Sequence, residues 1–168
     1  CIGKKDSIYF LSSESAALDT IGAEFVRDVE PGEIVTIVDG QIYSDWIYHT
    51  DIKSRCIFEY IYFARTDSII DGQSVYSSRV KAGSILADKY PVEADLIVGV
   101  PESGLAAAVG YSQGSNIPYG MAFYKNSYVG RTFIKPKQNE RTAGVQAKLN
   151  VIRDVVKGKR IVMVDDSI

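Results

Sequence analysis

Arg160-Ile161-Val162-Met163-Val164-Asp165-Asp166-Ser167-Ile168 decides the fold class of this chain. Four consecutive apolar residues after a basic turn read as a strand buried on both faces, the pattern of a parallel sheet. The strand delivers two adjacent carboxylates and a hydroxyl. In open α/β sheets ligands bind at the carboxyl ends of the strands. Asp165 and Asp166 are therefore candidates for accepting hydrogen bonds from sugar hydroxyls or holding a divalent cation through oxygen.

Working outward, Asp95-Leu96-Ile97-Val98-Gly99-Val100-Pro101 is a second continuous apolar run. It leads into Glu102-Ser103 and an alanine-rich helix expected over 104–113, with Ser103 as its cap. A preceding helix is predicted from residue 74 to residue 87, with Pro91 just beyond it. Asn116-Ile117-Pro118-Tyr119 turns the chain into Gly120-Met121-Ala122-Phe123-Tyr124, a basic stretch follows to about residue 142, and a helix is expected from Val145 to Val156. Strand, helix, strand, loop, helix, strand is the opening of an open parallel α/β sheet. No helix comes after the last strand, so the sequence reads as an internal stretch of a longer polypeptide.

The first 50 residues differ. Ser7 to Leu11 and Glu33 to Val38 are strand-like, Asp39-Gly40 is a hairpin turn before Gln41-Ile42-Tyr43-Ser44, and a short helix fits 16–21. Between the two parts, Cys56-Ile57-Phe58-Glu59-Tyr60-Ile61-Tyr62-Phe63-Ala64-Arg65 has no linker composition, which implies packed rather than tethered domains.

Charge is distributed unevenly over the 168 residues. Residues 121–160 carry ten Lys/Arg against Glu140 and Asp154, although the whole chain has a net charge of -2. Such a block points to an anionic partner, phosphate above all, or to a solvated face. No apolar run is long enough for a membrane span. With only two cysteines, a disulfide framework is excluded and a reducing, cytoplasmic setting is expected. A single histidine, His49, argues against a Ser-His-Asp hydrolase or a His-rich metal site in this stretch. Cys1 is rejected as a terminal nucleophile, because the residues after it are strand-like and bring no other element of such a site.

Val162 to Ile168 resembles the phosphoribosylpyrophosphate (PRPP) motif of type I phosphoribosyltransferases. Together with Phe58 to Arg65, Val100-Pro101-Glu102-Ser103-Gly104 and Tyr124-Lys125-Asn126-Ser127-Tyr128-Val129-Gly130-Arg131-Thr132-Phe133-Ile134, it is similar to the glutamine PRPP amidotransferase (amidophosphoribosyltransferase) family over nearly the whole chain. One departure is Thr66, where that family usually has Pro; this loosens a turn without removing a chemical group.

The resemblance implies an α+β stretch at 1–55, the end of an antiparallel N-terminal-nucleophile glutaminase domain. An α/β stretch at 56–168 would be the first part of a phosphoribosyltransferase parallel sheet. It implies transfer of glutamine-derived ammonia to C1 of PRPP, the first step of purine biosynthesis. Glutamine and PRPP would be the substrates, the full-length enzyme a homo-oligomer, and neither nucleic acid nor membrane a partner. Lys125, Asp165, Asp166 and Ser167 would bind PRPP; Ser103, Asp165 and Asp166 would serve Mg²⁺; Tyr62, Tyr128 and Ile134 would line an ammonia path. No catalytic residue is assigned within the chain, since the implied nucleophile lies upstream, and the stretch alone is expected to be inactive. Cys56 stays open between a ligand of a [4Fe–4S] cluster, as in some members, and a packed core thiol. The competing readings are another type I phosphoribosyltransferase or PRPP-sensing regulator, and a nucleic-acid module using the basic block. The β-rich first 50 residues weigh against the former. The basic block's lack of interleaved stacking aromatics weighs against the latter.

Overall fold

A central strand buried at its start builds the first sheet. In the computed structural model, which describes residues 1–50, 52, 54–128 and 147–167, β1 (Ile2–Lys5) lies between β2 (Ile8–Leu11) and β3 (Glu24–Arg27), antiparallel to both. Helix α1 (Ser15–Ile21) covers this sheet through the buried Leu18. Gly3 lets it do so: a Cβ there would stand 2.7 Å from a Leu18 methyl. The helix stops at Gly22, in the left-handed region (φ 66), and the Ala23 N–H donates to Leu18 O.

The predicted hairpin is present. β4 (Glu33–Val38) and β5 (Gln41–Trp46) pair antiparallel in full register, and Asp39 and Gly40 both take positive φ in the two-residue turn. Arg27 grips Glu33 with two hydrogen bonds of 2.7 and 2.8 Å, and the Glu30 N–H donates to the same carboxylate at 2.8 Å. A second fastening joins distant sequence. Glu14 accepts from the Arg65 N–H (2.8 Å) and the Ser68 hydroxyl (2.7 Å), while the Ile69 N–H donates to Ser15 Oγ. This ties the small hairpin of β6 (Ile69–Ile70) and β7 (Gln73–Ser74) to the start of α1. The chain accordingly divides into compact units Cys1–Ser78 and Arg79–Ile168. Cys56 to Phe58 are exposed and lead into a π-helical turn, Glu59–Phe63. An exposed Cys56 is not a packed core thiol, and that alternative is corrected.

The second unit is organised around two parallel strands, β8 (Leu96–Gly99) and β11 (Ile161–Val164), paired Ile161 to Leu96 through Val164 to Gly99. Tyr119 bridges Ile97 on the other side of β8, also parallel. Strand alternation sorts the core into two layers. Ile97 and Val164 pack with Ala87, Ala108 and Tyr111. Leu96 and Val98 pack with Ala122 and, less deeply, Val155 and Val156. Helix α2 (Val75–Lys89) and helix α3 (Gly104–Ser115) approach closely within this unit, because Gly83 faces the Ala107 carbonyl and Gly110 the Val80 carbonyl.

Three expectations change. The helix expected over 145–156 is interrupted by strand β10 (Leu149–Val151), antiparallel to β9 (Phe123–Lys125); Ala147 and Lys148 before it and α4 (Arg153–Val156) after it are helical, and 145–146 lie outside the described residues. Backbone pairing with β9 outweighs the helical spacing of Leu149, Ile152 and Val156. β11 is buried on one face only, since Met163 is 59% exposed and Ile161 40%. It pairs with β8 alone among the described strands, and just Val162 and Val164 face the α3 layer. Finally, α3 begins without a side-chain cap: Ser103 is itself in the helical region (φ -61, ψ -38), so its Oγ does not turn back on the helix.

Glu33 gives the first unit a pH signature. Its side chain is 1% exposed, and hydrogen bonds from Arg27, then Ser44 and the Glu30 backbone, hold its pKa at about 2. A depressed carboxylate stabilises fully above its ordinary pKa of 4.5 and loses that contribution as pH falls through the folded value. Trp46 sits directly opposite Glu33 and is the chain's single tryptophan. Urea midpoints read from its fluorescence should therefore fall between pH 4.5 and about 2, and Glu33→Gln should flatten that fall. Parallel curves for the two proteins would contradict it.

Candidate functional site

The amino ends of β8 and β11 are locked together. The Asp95 N–H donates to Arg160 O at 2.8 Å, and Asp95 Oδ2 accepts from the Arg160 N–H at 2.7 Å. That second bond, helped by the Arg160 charge, holds the Asp95 carboxyl below the usual carboxylate range. At the carboxyl ends the Val100 N–H donates to Val164 O at 2.9 Å. The first turn of α3 then closes on the second strand: a Cβ on Gly104 would lie 3.1 Å from Asp165 Cα and collide with the Val164 carbonyl. Gly99 does the same service lower down, where a Cβ would stand 2.8 Å from Leu105 Cα. So the turns 100–104 and 165–167 are brought together by backbone contact.

One polar atom at this edge is left unsatisfied. Among the described residues Asp166 Oδ2 is buried without a hydrogen-bond partner, while its Oδ1 accepts from the Ser167 hydroxyl at 2.8 Å. Most such buried groups in proteins are paired, so an orphan at a strand end marks room for a donor or a cation. Partial burial pushes the Asp165 carboxyl above its ordinary range; the Asp166 N–H, donated at 2.9 Å, opposes this and the Asp166 charge adds to it. Both effects are relieved by a cation or hydroxyls between the two acids. Ser103 is half-buried, its Oγ unused by α3.

Lys125 ends β9 and reaches the same edge, its ammonium 3.0 Å from Glu102 Oε1. Glu102, joined to Pro101 by a cis peptide, was not singled out from sequence. An acid placed between a buried strand and a helix start was the available signal. At this edge Gly104 draws the Ser103 turn against Asp165, and Lys125 reaches the first of these turns through Glu102.

Tyr62, in the first unit, is exposed and packs on Phe58 with ring centroids 5.4 Å apart. Tyr128 is fully exposed in the second unit, its N–H donated to Asn126 Oδ1. Ile134 lies outside the described residues, as does most of the basic stretch, including Arg131, Lys135, Lys137 and Arg141. Cys56 has no companions: among the described residues no group of three or more His, Cys, Asp or Glu could hold a metal. Two cysteines in the whole chain cannot supply the four ligands of a [4Fe–4S] cluster. No helix among the described residues is long and apolar enough to cross a membrane.

No protein-family model matches the chain. Individual relatives do. The chain is 52% identical over 168 residues to an amidophosphoribosyltransferase of Archaeoglobus fulgidus, covering all of this chain and 37% of that protein. It is 52% identical over 167 residues to one of Mycobacterium tuberculosis, covering 99% of this chain and 32% of the relative. The chain belongs to the amidophosphoribosyltransferase family. Among solved structures it superposes with a TM-score of 0.88, at 48% identity, on the Bacillus subtilis glutamine PRPP amidotransferase complexed with ADP and GMP, over 99% of this chain and 37% of that one. A structure described as the allosteric regulatory enzyme of purine biosynthesis matches equally, covering 36% of its chain. The chain therefore spans about a third of the length of the relatives it matches.

Since Gly104 sets the distance between the two turns, Gly104→Ala should destabilise the second unit. Overpacking against backbone that cannot swing away costs about 1–3 kcal/mol. Urea unfolding followed by circular dichroism measures it, and an unchanged midpoint would show that α3 is not held against Asp165.

Proposed function

We propose that this chain carries the PRPP edge of an enzyme that moves glutamine-derived ammonia onto C1 of PRPP, releasing pyrophosphate, glutamate and 5-phosphoribosylamine. In this reading residues 1–55 are the end of the glutaminase domain and 56–168 the first part of the phosphoribosyltransferase domain. The compact units divide later, at 78/79, because Glu14 and Ser15 bind the 65–69 segment. The observation that carries the reading is the orphaned carboxylate oxygen of Asp166 beside Asp165, at the end of a parallel strand.

Each residue then has a chemical task. Asp165 and Asp166 accept the ribose hydroxyls, and the sheet fixes them before substrate arrives, so little ordering is left to binding. Ser167, already donating to Asp166, aligns that carboxylate. Lys125 meets the pyrophosphate oxygens with a charge-assisted hydrogen bond, where negative charge builds as the C1–O bond breaks. Mg²⁺ would neutralise pyrophosphate charge, and the fit is a sound one. A hard cation of this kind takes one or two carboxylates and completes its shell with substrate oxygens and water. Asp165, Asp166 and the unused hydroxyl of Ser103 supply such a donor set. Tyr62, Tyr128 and Ile134 are assigned to a path that keeps ammonia from water and protonation. The full-length enzyme is taken to be a cytoplasmic homo-oligomer with glutamine and PRPP as substrates. The iron–sulfur cluster has no set of ligands in this chain and enters no step.

Asp165→Asn and Asp166→Asn in the full-length enzyme test the assignment. Each should lower PRPP-dependent phosphoribosylamine formation by at least about tenfold, the loss of one charge-assisted contact. Glutamine hydrolysis measured without PRPP should persist. Rates within about twofold of wild type would make the Asp pair an ordinary acidic turn.

A further inference from the structure

Lys125 is already engaged. Its side chain is largely covered (28% exposed) and its ammonium lies 3.0 Å from the carboxylate of Glu102, which is 71% exposed. The backbone beneath it is braced: Lys125 pairs with Leu149 across β9 and β10, and the next N–H, of Asn126, donates to Lys148 O at 2.7 Å. Glu102 stands two residues before the Gly104 that touches Val164 and Asp165. The acid is therefore set against the ammonium assigned to the pyrophosphate.

We propose that Glu102 is a positioning residue that holds Lys125 between turnovers and yields it to pyrophosphate, taking it back when pyrophosphate leaves. This rests on the assignment of Lys125 to the phosphates. A pair whose acid is 71% exposed gains little in water and is readily broken. A pyrophosphate oxygen offers the ammonium a stronger, charge-assisted partner. Lysine suits the exchange, because a compact charge on a flexible stem can swing between two acceptors over one fixed backbone. Glu102 and pyrophosphate thus compete for the same ammonium. The acid weakens product binding and so favours release, while Asp165 and Asp166 are left for the ribose.

Calorimetric titration of the full-length enzyme with magnesium pyrophosphate reads this out. Glu102→Gln keeps the length and an oxygen acceptor but removes the charge. It should tighten pyrophosphate binding about three- to fivefold, the worth of an exposed ion pair. Glu102→Asp, which keeps the charge, should stay near wild type. In a Lys125→Met background, Glu102→Gln should change nothing. Equal tightening in that background would overturn the proposal, since the acid would then act on the anion directly. No tightening in the wild-type background would overturn it too, while a weakened Lys125→Met leaves the phosphate assignment standing. If Lys125→Met binds pyrophosphate as wild type does, the assignment of Lys125 fails first and the partner exchange with it.

Discussion

Two parallel strands four residues long deliver the two turns at the centre of the candidate site, and they hold together because both of their ends are tied. Backbone and carboxylate bonds between Asp95 and Arg160 close the amino end, and the Val100 to Val164 bond closes the other. A slip of β11 by one residue would turn Val162 and Val164 off the α3 side and Ile161 and Met163 onto it. It would also carry Asp165 and Asp166 away from the turn after β8. The position of the two acids is thus a consequence of hydrophobic sorting several residues upstream. Gly99 and Gly104 complete the constraint by letting α3 descend onto backbone rather than onto side chains.

That constraint was largely legible, because it is written in local signals. A continuous apolar run announced β8, and Asp39-Gly40 announced the β4–β5 hairpin. The features that escaped depend on contacts between residues far apart. Leu149-Asn150-Val151 alternates over only three residues, too few to mark a strand, and pairing with β9 makes it one. The Glu14 carboxylate binds residues 65 and 68, more than fifty positions away, which no window along the sequence can see. Ser103 had the composition of a cap, but its backbone is already helical, so the hydroxyl is released to the site. Glu102 was in view as part of Pro101-Glu102-Ser103, yet its role needs Lys125, which arrives from a different strand.

The basic block between 121 and 160 is also less uniform than its composition suggests. Two of its cations sit at opposite ends of the same parallel pair and have different work. Arg160 faces two acids, Glu93 at 3.8 Å and Asp95 at 3.7 Å, at the amino end. Its backbone N–H is bound to Asp95 as well. A guanidinium presents several donors in a rigid fork, which suits a place where the partners never change. Lys125 faces one carboxylate at the carboxyl end, through a single rotatable ammonium. A point charge on a flexible stem forms fewer simultaneous bonds but gives one up at low cost. The choice of cation at each end therefore follows the demand on it: a forked clamp where the register is set, and, in the proposed function, an exchangeable contact at the phosphate side.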